Sequence, residues 1–280
     1  SAVAGIDVVL KDVSIEGAEK GKDYSAKLLE KKVGRGQMSA EKRDGILARI
    51  KPTISDADFE GCDLIIEAVF EDRDLKANFS PVDKMPLVEI IKGEHTSDET
   101  LARGFDYVMQ IKKAPIVVND SRGFFTSRVF GTFTNEGLAM LGEGVSAAMI
   151  ENETRKAGMP VGPLAISDEV SMSLMNHIRQ QTIKDLAAEG KQIPAHPAYA
   201  VIDMMLNEYK RPGKAAGAGF YDYPVGGKKH LWPELKARFE KADAQISQLD
   251  VRDRILFIQA IETVRCMEEG VLKSVADANI

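Results

Sequence analysis

The sequence predicts a parallel α/β domain followed by an all-helical domain. Three observations point there. Short β-prone runs alternate with helical stretches as far as about residue 119. From Gly123 onward the apolar periodicity becomes helical, and few β-prone runs remain. The 280 residues, 44% of them apolar and 29% charged, suffice for about two packed domains and are too apolar for disorder.

Charge and composition exclude several functions. Lys plus Arg number 37 against 43 for Asp plus Glu, a net charge of −6 that argues against broad nucleic-acid binding. No apolar run approaches the roughly 18 residues of a membrane span. The strongest, Leu64 to Phe70, carries Glu67 in its middle. Two cysteines, Cys62 and Cys266, build neither a disulfide framework nor a structural zinc site. The opening has no basic-then-apolar leader pattern. A soluble cytoplasmic protein is the expectation.

Taken in order, Ser1 to Gly5 reads as a helix end with Gly5 as its cap. Ile6 to Leu10 is a short strand. A helix follows over about Glu16 to Lys32, broken by Gly34 and Gly36. Ser39 caps a second helix through Arg49, and Pro52 marks a boundary. Asp63 to Phe70 is the next buried strand. The strand-like stretch Pro86 to Ile91 then comes too soon. A parallel crossover needs a dozen or more residues, usually a helix. Ser80-Pro81 and Met85-Pro86 leave only about Asp72 to Asn78 for one. Either the two strands are not parallel neighbours, or a middle segment of the domain is absent. Thr96-Ser97-Asp98-Glu99 has capping-box spacing for a helix to about Gln110, and Pro115 to Val118 is a last strand.

The expected domains are 1–119, 120–223 and 224–280. The last holds a linker and the start of a second helical domain, because the helical part repeats weakly. Arg128 matches Arg254, Glu136 matches Glu262, and Leu138 stands opposite Val264. Glu143-Gly144-Val145 matches Glu269-Gly270-Val271, and Glu151 corresponds to Asp277. Two amphipathic helices with a common ending, or a duplicated domain, would each produce this pattern.

Few residues suggest chemistry by themselves. Asp12 ends a strand, where an acidic residue can accept hydrogen bonds from a dinucleotide ribose or serve only as a turn aspartate. Glu71 and Lys76 follow the strand ending at Phe70, either beside a ligand at the carboxyl end of the sheet or as an exposed ion pair. Glu89 interrupts the apolar run Leu87 to Ile91, so it is a buried carboxylate needing a partner or an edge residue facing water. His95, His177, His196 and His230 lack metal-ligand spacing and read as structural or solvated. Gly213, Gly217 and Gly219 follow no strand, which argues against a phosphate loop. Met172, Met175, Met204 and Met205 read as helix core. Lys27 and Lys31 share one helix face.

Together, these motifs resemble the 3-hydroxyacyl-CoA dehydrogenase region of the α subunit of bacterial multifunctional fatty acid oxidation complexes, over nearly the whole chain. The resemblance runs through Val8-Val9-Leu10-Lys11-Asp12, Asp63 to Glu71, Phe79-Ser80-Pro81-Val82 and Leu87-Val88-Glu89. It continues through Gly123-Phe124-Phe125 before Arg128, Gly158 to Pro163, Gly219-Phe220-Tyr221 and Leu249 to Arg254. Each motif is weak alone, but their order and spacing are specific.

The resemblance implies a Rossmann-like NAD-binding domain, a helical 3-hydroxyacyl-CoA dehydrogenase C-terminal domain and a duplicated helical domain. It implies NAD-dependent oxidation of L-3-hydroxyacyl-CoA to 3-ketoacyl-CoA in fatty acid β-oxidation, as part of a multifunctional enzyme. Asp12 would bind the adenosine ribose of NAD, and Glu71 and Lys76 would line its nicotinamide side. Glu89 would orient a catalytic histidine, and Ser127 stands at the family's active-site asparagine. Lys27 and Lys31 are candidates for the CoA phosphates, beside their reading as a solvated face. The implied partners are an acyl-CoA substrate and either a second copy or a thiolase subunit. The departures are specific. Ala77-Asn78 stand where the family carries its histidine, and the Asn-Thr-Ser stretch, opening strand and glycine loop are missing. The alternative is a catalytically inactive, dehydrogenase-like scaffold.

Overall fold

A computed structural model describes residues 1–62 and 85–279. The expected strand Asp63 to Phe70, together with Glu71 and Lys76, lies outside the described residues. The chain divides into two units, Ser1–Asp120 with Asn279, and Ser121–Ala278.

The first unit is built from parallel strand pairs and their crossover helices. Strand β1 (Val8–Lys11) pairs with β2 (Ile50–Thr53), Val8 opposite Ile50 and Lys11 opposite Thr53. Strand β3 (Leu87–Lys92) pairs with β4 (Ala114–Asn119), Leu87 opposite Ala114. Between them run α1 (Ile15–Gly34), α2 (Ala40–Ala48) and α3 (Asp98–Gln110). Each helix starts on a serine whose hydroxyl accepts an otherwise unpaired first-turn N–H. Ser14 takes Gly17 N at 3.0 Å, Ser39 takes Lys42 N at 3.2 Å and Ser97 takes Thr100 N at 3.1 Å. Helix α1 lies close on β1, because a Cβ at Gly21 would come within 2.8 Å of Leu10 Cδ2. Ala2, Leu29, Ile46 and Ile50 form the small core beneath.

Two sequence expectations need correction here. Pro52 sits inside β2 opposite Leu10 rather than at a boundary. Proline donates no ladder hydrogen bond, so a strand tolerates it only where no N–H is required. The cap of α3 is Ser97, not Thr96, whose Oγ1 instead accepts Gly93 N at 3.0 Å and closes the preceding turn.

The second unit is helical: α4 (Thr126–Glu143), α5 (Ala147–Lys156), α6 (Pro163–Val170), α7 (Met172–Ala188), α8 (Pro197–Asp203), α9 (Glu234–Phe239), α10 (Gln248–Glu268) and α11 (Val275–Ala278). A small antiparallel pair, β5 (Tyr221–Asp222) with β6 (His230–Leu231), closes one side. Leu138, Met140 and Leu141 of α4 are fully buried. A Cβ at Gly137 would fall 2.3 Å from Pro163, and one at Gly142 would fall 2.9 Å from Val201, so both glycines admit neighbours a larger residue would exclude. Met172 and Met205 are buried, and Met175 and Met204 pack against this core, as the sequence suggests. Helix α10 begins in a capping box, Ser247 with Asp250, and packs on α4. Among the described residues no helix is long and apolar enough to cross a membrane.

Candidate functional site

Parallel α/β sheets bind ligands at the carboxyl ends of their strands. At the end of β1, Asp12 is exposed and its N–H donates to Thr53 O at 3.3 Å. Its Oδ1 accepts Val13 N at 2.6 Å, and its carboxylate faces Gly17 in the first turn of α1, where a Cβ would approach within 2.8 Å. The helix dipole favours negative charge there. The structure thus places an exposed carboxylate at the carboxyl end of β1, beside the first turn of α1. The neighbouring strand end adds Thr53, whose hydroxyl donates to Asp58, and Lys51, 2.6 Å from Asp58. That carboxylate is held below its usual range by Lys51 and Thr53. Composition gave no sign of this cluster, because an Asp-rich turn after a strand is common.

Glu89 lies at the middle of β3 opposite Ile116 and is 9% exposed. The buried reading of this carboxylate therefore holds over the water-facing one. Ser127 is exposed, the second residue of α4. It belongs to the helical unit and Glu89 to the sheet unit. Lys27 and Lys31 are both exposed on α1, one turn apart, with Lys20 on the same face.

The four histidines behave as the sequence suggests. His196 caps α8, its Nδ1 accepting Ala198 N at 3.2 Å, and His230 lies 3.4 Å from Asp222. His95 and His177 are exposed. No group of metal-ligating side chains occurs among the described residues. The Gly213 to Gly219 segment is a tight turn closed by Gly213 N to Ala218 O at 2.8 Å.

Among the described residues, buried carboxylates at Glu151, Glu153 and Asp168 escaped the sequence reading. Glu151, 1% exposed, accepts Leu164 N at 2.8 Å and Ala165 N at 3.3 Å in the first turn of α6, and the Tyr221 hydroxyl at 2.7 Å. Asp168, fully buried, accepts Phe220 N and Tyr221 N at 2.8 Å each, and the Tyr223 hydroxyl at 3.0 Å. Burial pushes the Asp168 carboxyl up to about 6, against the pull of those donors. The close Gly158 to Pro163 and Gly219 to Tyr221 motifs are the visible trace of Glu151 and Asp168. A Cβ at Gly162 would fall 2.4 Å from Glu151, and one at Gly219 would fall 2.0 Å from Asp168. These motifs build the helical unit's frame.

Comparison with known proteins agrees with this division. Residues 123–223 match the 3-hydroxyacyl-CoA dehydrogenase C-terminal domain. Residues 1–79 and 77–121 match the 3-hydroxyacyl-CoA dehydrogenase NAD binding domain. Among solved structures, the chain is similar to (S)-3-hydroxybutyryl-CoA dehydrogenase from Ralstonia eutropha, at 27% identity and a TM-score of 0.67, covering 80% of this chain and 92% of that one. It is similar in fold to 3-hydroxybutyryl-CoA dehydrogenase from Escherichia coli, at 23% identity and a TM-score of 0.69, covering 82% of this chain and 57% of that one. The dehydrogenase part of multifunctional enzyme 1 from C. elegans shares the fold at 22% identity and a TM-score of 0.66, covering 98% of this chain and 71% of that one. With an NAD-binding domain followed by the matching helical domain, this chain belongs to the 3-hydroxyacyl-CoA dehydrogenase family of oxidoreductases.

Proposed function

We propose that this chain oxidises an L-3-hydroxyacyl-CoA to the 3-ketoacyl-CoA in fatty acid β-oxidation, within a multifunctional enzyme. The carrying observation is Asp12, an exposed carboxylate at the end of β1 in a domain of the NAD-binding family. NAD, when bound, takes the hydride that leaves C3 of the substrate. Asp12 accepts hydrogen bonds from the ribose hydroxyls, and its charge disfavours a 2′-phosphate there. By the family likeness, Glu71 and Lys76 would serve the nicotinamide side of NAD. The substrate hydroxyl must lose its proton as the hydride departs, so a base is required. Glu89, buried in β3, is the carboxylate that would fix such a base. Ser127 contacts the substrate side of the reaction, with a shorter reach than an asparagine.

Two features support the multifunctional setting. Helix α10 repeats α4, and we read α10 and α11 as the start of a second helical domain. The C. elegans dehydrogenase part covers 98% of this chain, against 80% for the Ralstonia eutropha enzyme. In that setting a thiolase subunit would consume the ketoacyl product.

A second reading has its own observation. Ala77-Asn78 stand where the family carries its histidine, and His95 is the sole histidine before His177. A chain without the base would bind NAD and acyl-CoA but serve as a scaffold. Reduction of acetoacetyl-CoA, followed by NADH absorbance, decides between the readings. Turnover supports the dehydrogenase. NAD binding by calorimetry with no turnover supports the scaffold, and absence of both overturns the two together.

A further inference from the structure

The hairpin of β5 and β6 has a fixed base and an uncovered tip. At the base, Asp168 accepts the Tyr221 N–H, Glu151 accepts the Tyr221 hydroxyl, and Trp232 N donates to Phe220 O at 2.9 Å. At the tip the chain turns through Pro224 to Gly227, closed by Gly227 N to Pro224 O at 3.1 Å, with Gly226 at φ 73°. Val225 stands on that turn with its side chain wholly in solvent. A single exposed valine means little by itself. Here it is joined by charge. Lys228, Lys229 and His230 follow it directly, all exposed. Asp222, the hairpin's own carboxylate, is taken by Arg211 on Oδ1 and lies 3.4 Å from His230 on Oδ2. Among the described residues no carboxylate pairs with Lys228 or Lys229, and Lys229 Nζ lies 5.0 Å from the Tyr221 ring. Residues 210–241 carry eight Lys or Arg against three Asp or Glu, a local charge of +5 in a chain of −6. The rest of the chain therefore stands at −11.

We propose that this hairpin is a docking surface for an anionic lipid bilayer, with Val225 entering the headgroup layer and Lys228 and Lys229 meeting the lipid charges. An apolar tip beside a basic collar suits a reversible contact at a membrane interface. Each lysine near an anionic membrane surface gains roughly fivefold in partitioning. Burying the valine adds about tenfold. Neither effect holds a protein of this size on a membrane alone, and together they give weak, reversible binding. The same surface repels the acidic remainder of the chain, so the protein approaches hairpin first. An acidic protein segment would meet the lysines equally well, but it has no use for an isolated valine at the tip. The valine therefore favours the bilayer. This inference stands on the hairpin's geometry and charge and does not depend on dehydrogenase activity.

The test is cosedimentation of the whole chain with phosphatidylcholine vesicles carrying about 30% phosphatidylserine, a surface of the kind that attracts basic segments. The expected result at low salt is binding to these vesicles and none to phosphatidylcholine alone. Salt at about 0.5 M should release the protein, because the Debye length then falls to about 4 Å. Lys228→Glu with Lys229→Glu should cut partitioning by at least about 25-fold, from two lost attractions of roughly fivefold each. Val225→Ser keeps every charge and should still cost about tenfold. Both variants leave the base of the hairpin intact, so their circular dichroism should match the wild type. Should the charge reversal disturb folding, Lys228→Gln with Lys229→Gln removes the charge alone and carries the same expectation. A wild-type chain that stays in solution beside anionic vesicles at low salt overturns the proposal. So does binding that the lysine variants leave unchanged. Vesicle binding that Val225→Ser leaves unchanged is contact with a polyanion without insertion, and it overturns the bilayer in favour of an acidic protein segment.

Discussion

Asp168 and Tyr221 are joined through the main chain: the Tyr221 N–H donates to Asp168 Oδ2 at 2.8 Å, while the Tyr221 hydroxyl donates to Glu151 Oε2 at 2.7 Å. One residue of β5 is thereby clamped between buried carboxylates from α5 and α6. Arg211 secures the same strand from outside, donating to Gly219 O at 2.7 Å and to Tyr221 O at 3.2 Å. Its guanidinium stacks on Trp232 at 4.4 Å.

Asp168→Asn should destabilise the helical unit by about 1–3 kcal/mol, since a buried donor left unpaired carries its full desolvation cost. Asparagine offers one acceptor oxygen where the carboxylate offers two. Its amide nitrogen would face either Phe220 N–H or Tyr221 N–H, donor against donor. Urea unfolding monitored by Trp232 fluorescence measures the loss. A change within about 0.5 kcal/mol, the range of ordinary surface substitutions, would contradict this account.

The pH dependence of that gap has a definite sign. Burial holds the Asp168 carboxyl at about 6 in the folded protein, above its ordinary 3.8. Between those values the folded state binds more protons than the unfolded state, so this group's contribution falls as pH rises. The stability difference between wild type and Asp168→Asn should widen by up to about 3 kcal/mol from about pH 7 to about pH 4. Glu143 and Glu269, held low by Arg254 and Arg128, act oppositely and lose their contribution as pH falls. Taking the difference between the two chains cancels their effect. A gap that narrows on acidification would reverse the argument.

Ser171→Gly should stabilise the protein by about 1 kcal/mol. Ser171 ends α6 and begins α7 with φ 78° and ψ 137°, in the left-handed half of conformational space. Strain of this kind costs of order 1–3 kcal/mol for a residue with a Cβ. Against it stand the lost cap, in which Ser171 Oγ accepts Leu174 N at 3.2 Å, and the greater freedom of an unfolded glycine. A Ser-to-Gly cap change costs a few tenths of a kcal/mol and the unfolded-state term about 0.4–1, so relief prevails. The urea midpoint should rise at constant slope, and a fall would show that the cap outweighs the strain.

Local chemistry was the legible part of the fold. Ser39 and Gly5 are short-range signals, and both appear where the sequence puts them. Pro52 misled, because a proline within a strand depends on which backbone groups the neighbour needs, a tertiary fact. Thr96 and Ser97 compete for one helix start, and the turn at Gly93 decides between them. Asp168 and Glu151 were illegible as buried residues, since a lone carboxylate in a helical pattern looks like a solvated face. The repeat was legible as spacing, but not the ion pairs of Arg128 with Glu262 and of Arg254 with Glu136, which need both helices in place. For the candidate site, Asp12 and Glu89 could be placed from strand ends and apolar runs, whereas roles for Glu71, Lys76 and Ser127 came only from family likeness.

Replacing Lys27 and Lys31 together with Glu should raise KM for acetoacetyl-CoA several-fold while leaving KM for NADH unchanged. Both ammonium groups are exposed on α1, where they can meet phosphates but contribute little to folding. Each reversal removes an attraction and adds a repulsion, screened over about 8–10 Å at physiological salt. The effect should shrink as salt is raised. An unchanged KM at low salt would assign both lysines to the solvated face.

Asp12→Ala should weaken NAD binding by roughly 10-fold to 100-fold, because hydrogen bonds to a charged group contribute about 1.5–3 kcal/mol. The folding stability should hardly change, since Asp12 is exposed and its side chain accepts only its neighbour's N–H among the described residues. Gly17→Ala offers a second approach to the same group. Its new methyl would lie 2.8 Å from the Asp12 carboxylate and push it off the helix start. Both variants should therefore lose NAD affinity, measured by calorimetry, with acyl-CoA affinity retained. If Asp12→Ala binds NAD as well as the wild type, the carboxylate is only a turn residue and the ribose must be held elsewhere. If Asp12→Ala loses NAD while Gly17→Ala does not, the carboxylate moves with its ligand and the close glycine is a packing feature alone.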